Sequence, residues 1–146
     1  MFHHILVVCS GNICRSPVAA ALLQQSFPDK VISSAGVAVE ASGLSGHEME
    51  ACARRVAEAQ GLVCPSHSAQ QLTSSMVSQA DIILVMETHH RHEIARRFPV
   101  ALAKTFLLGN WLEKCEIDDP YRKSEEAFIY IHRHLVQSCD SWIGRL

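Results

Sequence analysis

Short apolar runs alternate along the chain with longer segments that mix apolar and polar residues. Uninterrupted apolar runs are typical of parallel strands buried on both faces. They predict strands at 5–9, 31–34, 81–86 and 104–108. Helix formers between these runs, with Pro17 and Thr73 as start signals, predict the helices. The predicted helices cover 17–25, 48–60, 73–80, a polar segment that ends before Pro99, and about 124–143.

Strands that alternate with helices predict an α/β fold, a single domain built on an open four-stranded parallel sheet with helices on both faces. In such sheets, ligands bind beyond the carboxyl ends of the strands. Residues 9–16 follow the first predicted strand directly and therefore lie at such an end. The Gly- and Ser-rich stretch 37–46 and the segment 109–121 are predicted to be loops.

Composition limits the function classes that need to be considered. The 146 residues, 48% of them hydrophobic, can bury one core but not two typical ones, so we predict one domain over 1–146. A net charge of -2 gives no general electrostatic reason to bind nucleic acid or an anionic membrane. The sequence has no signal-peptide pattern and no apolar stretch of membrane length, so we expect a cytoplasmic protein without membrane insertion. The six cysteines are expected to be reduced thiols.

The segment CSGNICRS at 9–16 carries the most chemistry. Its small residues let the loop curl so that successive backbone N–H groups point inward, and the following helix adds its positive end. This arrangement is a cradle for a tetrahedral dianion such as phosphate. Arg15 can add a bidentate fork to two of the oxygens. The same field favours the thiolate form of Cys9, which would be a nucleophile beneath the bound anion.

The spacing of cysteine and arginine carries little weight alone. Cys139 and Arg145 have the same separation, but they lie in the last predicted helix, where backbone N–H groups are already bonded and cannot converge on an anion. A nucleotide-binding loop is also a poor match, because the Walker Gly-Lys-Ser/Thr ending is absent. The interpretation of 9–16 as an anion-binding loop therefore depends on the strand predicted before Cys9 and the helix predicted after the loop.

The segment VVCSGNICRSP at 7–17 closely resembles the signature of the low-molecular-weight protein tyrosine phosphatases. The resemblance continues in the expected order through SSAG at 33–36, HSAQQLT at 67–73, ADIILVME at 80–87 and CEIDDPYRKS at 115–124. It implies the phosphotyrosine phosphatase I-like, Rossmann-like fold of that family. The stretch GNWLEKCEIDDPYRKS at 109–124 resembles the bacterial branch associated with exopolysaccharide and capsule tyrosine kinases.

The resemblance implies a cysteine-dependent phosphatase that works through a phosphocysteine intermediate, without a metal or organic cofactor. Cys9 would attack phosphorus, Arg15 would hold the phosphate oxygens, and Asp119 would be the general acid, since a phenolate leaves more readily when it is protonated. Asp118 has the same chemistry, but only Asp119 occupies the motif position. The other loop residues expected to bind the phosphate group are Ser10, Gly11, Asn12, Ile13, Cys14 and Ser16. Ser16 is also expected to donate a hydrogen bond to the thiolate.

The family also implies residues that support the loop and shape the pocket. Asn12, Ser34 and His67 map to a supporting network that holds the loop in place. Tyr121 is expected to form one wall of a deep slot suited to phosphotyrosine. Ile13 and a residue of the 37–46 loop, for which Leu44 is our choice, are expected opposite it.

Gln70 and Cys14 are two further positions for which the resemblance matters. Gln70 stands where relatives often have arginine, so the role of that arginine is open in this chain. The resemblance implies that Cys14 forms a reversible disulfide with Cys9 and so shields Cys9 from irreversible oxidation.

Two groups of histidines raise the question of a metal site. Neither has the carboxylate or thiolate arrangement that compels one, so we predict solvated helix faces and no bound metal. The groups are His89, His90 and His92 on one helix and His132 and His134 on another.

The expected partner is a tyrosine-phosphorylated protein, with an autophosphorylated bacterial tyrosine kinase of exopolysaccharide or capsule assembly as the first candidate. Inorganic phosphate or another oxyanion is expected in the active site. Two other functions stay open. A thioredoxin-coupled arsenate reductase would need two further, closely spaced cysteines, and 80–99 contains none. A phosphotyrosine-binding module without turnover is disfavoured by the joint presence of Cys9, Arg15 and Asp119.

Overall fold

Strands and helices alternate in the computed structural model, which describes residues 2–146. The strands are β1 (His4–Cys9), β2 (Val31–Gly36), β3 (Ile82–Val85) and β4 (Thr105–Leu107). The α-helices are α1 (Arg15–Ser26), α2 (Ala51–Ala59), α3 (Ser74–Gln79), α4 (Thr88–Arg97) and α5 (Glu125–Asp140). A 3-10 helix (Pro99–Lys104) precedes β4.

The four strands form one parallel sheet in the order β2-β1-β3-β4, which confirms the predicted α/β fold. Strand β1 is flanked on both sides, and the chain moves to one side of it for β2 and to the other for β3. The carboxyl end of β1 is therefore the switch point of the sheet, where α/β proteins of this kind bind ligands. The loop that contains residues 10–14 begins at this point.

Two apolar layers cover the two faces of the sheet. Alternate residues of β1, such as Val7, pack with apolar side chains of α1, α2 and α5. The intervening residues, such as Val8, pack with α3, α4 and the 3-10 helix. This burial on both faces explains why the strand sequences are continuous apolar runs without alternation. None of the described helices is long and apolar enough to cross a bilayer.

Several helix boundaries differ from the predicted ones. Helix α1 begins at Arg15 and not at Pro17, so the arginine belongs to its first turn. Helix α2 begins at Ala51 and not at residue 48, because the Glu48 carboxylate accepts hydrogen bonds from the backbone N–H groups of Met49 and His67, which hold it in the preceding loop. Helix α5 ends at Asp140, and turns replace the predicted helix up to residue 143.

Strand β2 is longer than predicted, and it ends at Gly36 because of the loop that lies beside it. A Cβ atom at this position would lie 2.5 Å from the Ser10 carbonyl oxygen, so only glycine lets β2 pass so close. The predicted loop 37–46 is tied to the same place, since Val37 and Ala38 donate N–H hydrogen bonds of 3.0 Å to the carbonyl oxygens of Cys9 and Ser10. The 37–46 segment is therefore anchored to the loop after β1.

Candidate active site

A cavity of about 290 Å³ opens at the carboxyl end of β1. Its walls come from the loop after β1, from the 37–46 segment and from the segment before α5. The lining residues are Cys9, Ser10, Gly11, Ile13, Cys14, Arg15, Ser42, Leu44, Asp119, Tyr121 and Arg122. The structure thus brings Cys9, Arg15 and Asp119 to one cavity, although Asp119 is more than 100 residues from the other two.

The Cys9 side chain lies at the base of this cavity and is only 2% exposed. Its Sγ atom lies 3.0 Å from Ser16 Oγ and accepts a 3.3 Å hydrogen bond from the Asn12 backbone N–H. Asn12 Nδ2 donates to Ser16 Oγ at 2.8 Å. Since the Ser16 oxygen accepts from Asn12, its own proton is free to point to the sulfur or to the Ala35 carbonyl oxygen, which lies 3.5 Å away.

The Arg15 guanidinium is 2% exposed and is held from two other segments of the chain. One of its nitrogens, Nη1, donates to Glu87 Oε2 at 2.6 Å and to the Ile117 carbonyl oxygen at 2.8 Å. The other, Nη2, lies 3.7 Å from Asp119 Oδ2. Burial by itself would lower the pKa of Arg15, but the neighbouring Cys9, Glu87 and Asp119 raise it overall. Arg15 is thus a permanent cation at the cavity wall.

The prediction from sequence missed Glu87. It follows β3, whose carboxyl end lies beside that of β1 in the sheet. The sequence did contain a signal for Glu87. It is a carboxylate directly after a buried strand, at the edge of the sheet where we expected the site. Its 2.6 Å ion pair with Arg15 is largely shielded from solvent, and such pairs are costly to break on one side only.

The structure separates the two candidate aspartates. The Asp119 side chain is 47% exposed and lines the cavity, with Oδ1 accepting a 3.0 Å hydrogen bond from the Tyr121 backbone N–H. Asp118 instead forms an exposed ion pair with Lys114 at 3.1 Å. Only Asp119 is therefore placed near Arg15.

Asn12 is the centre of the network that supports the loop. It is fully buried and has a φ of 56°, a left-handed conformation that asparagine tolerates better than most residues. Its Nδ2 also donates to Ser34 Oγ at 3.0 Å, and its carbonyl oxygen lies 2.5 Å from His67 Nε2. The expected supporting residues Asn12, Ser34 and His67 are thus brought together.

Gln70 belongs to the same network. Its backbone N–H donates to Asn12 Oδ1 at 3.0 Å, and its side-chain Nε2 donates to the Ser34 carbonyl oxygen at 2.9 Å. The amide therefore joins the loop to β2. This contact gives Gln70 a structural role at the position where relatives often carry arginine.

The side walls of the cavity are apolar. Tyr121 and Leu44 both line it, as does Ile13. Leu44 comes within 2.9 Å of the position that a Cβ atom on Gly11 would occupy, so a larger residue there would displace this wall. Beside Tyr121, the Arg122 guanidinium lies 5.3 Å from the centre of the phenol ring and also lines the cavity.

The six cysteines are free thiols. Cys14 lines the cavity together with Cys9, and burial, with a smaller contribution from the charge on Cys9, raises the pKa of the Cys14 thiol. Cys139 is buried in the core, where burial raises its pKa, and Arg145 stacks on Trp111 at 4.4 Å. The second cysteine–arginine pair of the sequence thus forms no anion site.

The expectation that the histidines form solvated helix faces is wrong for three of them. Of the five residues in the two groups, His90, His132 and His134 are buried, whereas His89 and His92 are exposed. Potential ligand atoms of Glu87, His89 and His90 lie within 4.8 Å of one another. This group does not fit a metal ion, because the Glu87 carboxylate binds Arg15 and both ring nitrogens of His90 have protein partners.

Comparison with known proteins agrees with this geometry. A family model described as low molecular weight phosphotyrosine protein phosphatase matches residues 4–146. A putative low molecular weight protein-tyrosine-phosphatase of Klebsiella pneumoniae is 44% identical over 146 residues, which are 100% of this chain and 99% of that protein.

Solved structures give the same result. Wzb of Vibrio vulnificus in complex with benzylphosphonate has a TM-score of 0.97 at 42% identity, and the match covers 100% of both chains. The tyrosine phosphatase Wzb of Escherichia coli K30 in complex with phosphate has a TM-score of 0.91 at 42% identity, covering 100% of this chain and 99% of that one.

The fold and the cavity define an α/β protein in which the loop after the first strand brings Cys9 and Arg15 to one cavity with Asp119. The chain belongs to the low molecular weight phosphotyrosine protein phosphatases.

Proposed function

We propose that the protein hydrolyses phosphotyrosine through a phosphocysteine intermediate. The observation that carries this proposal is that Arg15 lines one cavity with the buried Cys9 thiol and lies 3.7 Å from the Asp119 carboxylate. A nucleophile, an oxyanion-binding cation and a proton donor are the three groups that phosphate ester cleavage of this kind needs.

In the first step, the Cys9 thiolate attacks phosphorus in line with the bond to the tyrosine oxygen. A phosphorus–sulfur bond forms while the phosphorus–oxygen bond breaks, and Asp119 transfers its proton to the departing phenol oxygen. Arg15 and the N–H groups of residues 10–15 hold the three equatorial oxygens. The Ser16 hydroxyl stabilises the Cys9 sulfur as a thiolate, both before the attack and after the phosphorus–sulfur bond breaks.

In the second step, the Asp119 carboxylate takes a proton from a water molecule that attacks the phosphocysteine. The phosphorus–sulfur bond breaks, inorganic phosphate is released, and Cys9 returns as a thiolate. Asp119 is suited to both steps, because it is half-exposed at the cavity wall and its Oδ1 is oriented by the Tyr121 N–H.

The apolar walls favour tyrosine over serine as the phosphorylated residue. Tyr121, Leu44 and Ile13 line the cavity above Cys9. A phosphotyrosine ring is long enough to fill the slot between these side chains while its phosphate reaches the loop. A phosphoserine side chain would leave the walls without a partner.

The physiological substrate that we propose is an autophosphorylated bacterial tyrosine kinase of exopolysaccharide or capsule assembly, with the reaction in the cytoplasm. The support is the similarity to the Wzb phosphatases and the GNWLEKCEIDDPYRKS segment. Inorganic phosphate, the product, and other oxyanions would occupy the same loop.

An assay of three substrates tests the proposal. We expect turnover of phosphotyrosine, much slower turnover of phosphoserine, and no thiol-dependent reduction of arsenate. The variant Cys9→Ser should lose turnover and still bind vanadate or phosphate. Retained turnover would contradict the assignment of Cys9, arsenate reduction would support the reductase, and phosphotyrosine binding without hydrolysis by the unmodified protein would support the binding module.

A further inference from the structure

The buried side chain of His90 connects the loop after β1, which lines the cavity, to the segment after β3. His90 lies in the first turn of α4 and is 0% exposed. Its Nδ1 atom accepts a 3.1 Å hydrogen bond from the Glu87 backbone N–H, and its Nε2 atom lies 2.8 Å from Ser10 Oγ. One imidazole ring therefore spans from the segment after β3 to the loop after β1.

These contacts determine which ring nitrogen carries the proton. Because Nδ1 accepts from a backbone N–H, the single proton of a neutral imidazole must be on Nε2. Burial, followed by the charges of Arg15 and His89, lowers the pKa of His90 to about 3. The ring is therefore neutral at physiological pH, and Nε2 donates to Ser10 Oγ.

Because Nε2 donates this hydrogen bond, the hydroxyl proton of Ser10 has no acceptor among residues 2–146. Within residues 2–146, His90 is the only hydrogen-bond partner of Ser10 Oγ. Ser10 also lines the cavity with Cys9 and Arg15, where the bound group carries negative charge. The Ser10 oxygen already accepts a hydrogen bond from His90. Its own proton is therefore free to point into the cavity, where negative charge on a bound group would attract it.

We infer that His90 is a positioning residue that makes the Ser10 hydroxyl a hydrogen-bond donor to a phosphoryl oxygen in the transition state. The inference rests on the proposed phosphatase function and adds a side-chain donor to the backbone donors of the loop. A donor fixed in advance acts most strongly where negative charge develops, so its loss lowers kcat more than it changes KM.

The substitution His90→Asn separates the two contacts of the ring. The Asn Oδ1 atom takes the place of Nδ1 and still accepts from the Glu87 N–H, whereas the shorter side chain no longer reaches Ser10. We expect kcat on an aryl phosphate to fall about tenfold, with KM changed less than about twofold. The matched control His92→Asn, on the exposed side of the same helix, should keep the kcat of the unmodified protein.

Ser10 variants test the pair from the other side, and they do not disturb α4. Ser10→Ala should lower kcat as much as His90→Asn does, and Ser10→Thr, which keeps the hydroxyl, should retain most of it. If His90 acts through Ser10, His90→Asn costs nothing further in the Ser10→Ala background. If the losses in kcat of the two single variants instead multiply in the double variant, His90 acts through the helix and not through Ser10. That result would overturn the inference.

A measurement without turnover examines the ring itself. Nitrogen NMR of the free protein should show His90 protonated at Nε2 alone, with no titration between pH 5 and 8. A ring that is protonated at Nδ1, or that gains a second proton in this range, would overturn the inference.

An unmodified protein that hydrolyses no aryl phosphate would contradict the proposed function and the inference with it. An active protein whose kcat is unchanged by His90→Asn would contradict the inference alone.

Discussion

At the scale of single residues, the chemistry of the cavity depends on which of two similar groups is placed in it. Asp118 and Asp119 are neighbours with the same side chain, yet Asp118 pairs with Lys114 while Asp119 faces Arg15. Cys9 and Cys14 both line the cavity, but burial raises the pKa of Cys14 and keeps it a thiol. Position and surroundings therefore assign the roles that residue type leaves open.

The two aspartates can be compared by the same substitution. Asp119→Asn removes the proton donor but keeps the shape, so kcat should fall about 10²- to 10⁴-fold on aryl phosphates with poor leaving groups and much less with good ones. Asp118→Asn is the matched control and should leave kcat nearly unchanged. The measurement is kcat across aryl phosphates of graded leaving-group pKa. Equal losses for all leaving groups would indicate that Asp119 only positions the substrate.

The thiol pair can be tested by oxidation. If Cys14 forms a disulfide with oxidised Cys9, peroxide-treated protein should recover its activity after reduction with dithiothreitol, whereas Cys14→Ser should stay inactive, since Cys9 then oxidises past the recoverable stage. Cys64→Ser, outside the cavity, is the control and should recover like the unmodified protein. Full recovery by Cys14→Ser would remove the protective role.

At the scale of elements, the loop after β1 keeps its shape because neighbouring segments press against it. Gly36 at the end of β2 lets the strand approach the Ser10 carbonyl oxygen, and the 37–46 segment donates two backbone hydrogen bonds to the loop. Asn12 is held by Ser34 and by Gln70. The conformation of the loop is thus set by contacts with β2 and the segments around it, in addition to the loop's own sequence.

The substitution Gly36→Ala tests this dependence. The added Cβ would lie 2.5 Å from the Ser10 carbonyl oxygen and 2.6 Å from Val39 Cγ2, so the strand or the loop must shift. We expect a loss of about 1–3 kcal/mol in the free energy of unfolding, measured with urea, and a reduced affinity for phosphate. Ser33→Ala, at an exposed position of the same strand, should change neither quantity. Unchanged phosphate affinity in Gly36→Ala would show that the loop shape does not depend on β2.

At the scale of the whole molecule, the cavity joins segments that are far apart in the chain. Arg15 is bound to Glu87, 72 residues away, and to the Ile117 carbonyl, 102 residues away. Ile117 is itself fixed to the end of β3 by its N–H bond of 2.9 Å to the Met86 carbonyl oxygen. An anion bound at the loop therefore contacts a structure that exists only when the sheet is complete.

Anion binding should consequently stabilise the entire fold. At an oxyanion concentration 100 times its dissociation constant, the gain is about 2.7 kcal/mol, which corresponds to a rise in Tm of roughly 5–10 °C for a chain of this size. Thermal unfolding with and without vanadate or phosphate measures it. Cys9→Ser should keep the rise and Arg15→Ala should lose it. An equal rise in Arg15→Ala would place the bound anion elsewhere.

Local chemistry explains how much could be predicted from the sequence. The order of strands and helices was predicted because apolar runs and helix-start signals act over a few neighbouring residues. The loop at 9–16 could be recognised because its donors are consecutive. The predicted start of α2 is wrong, because the contact of Glu48 with His67, a distant residue, keeps Glu48 in the loop before the helix. The burial of His90, His132 and His134 depends in the same way on packing between elements.

The sequence by itself determined the parallel α/β fold, the motif at 9–16 and the family, because each is encoded in short contiguous segments. Only the tertiary structure decided that Glu87 holds Arg15 and that His90 binds Ser10. These pairs are separated by 72 and 80 residues. They meet because β1 and β3 are neighbours in the sheet, and no local pattern records which side chains will face each other where two parallel strands end.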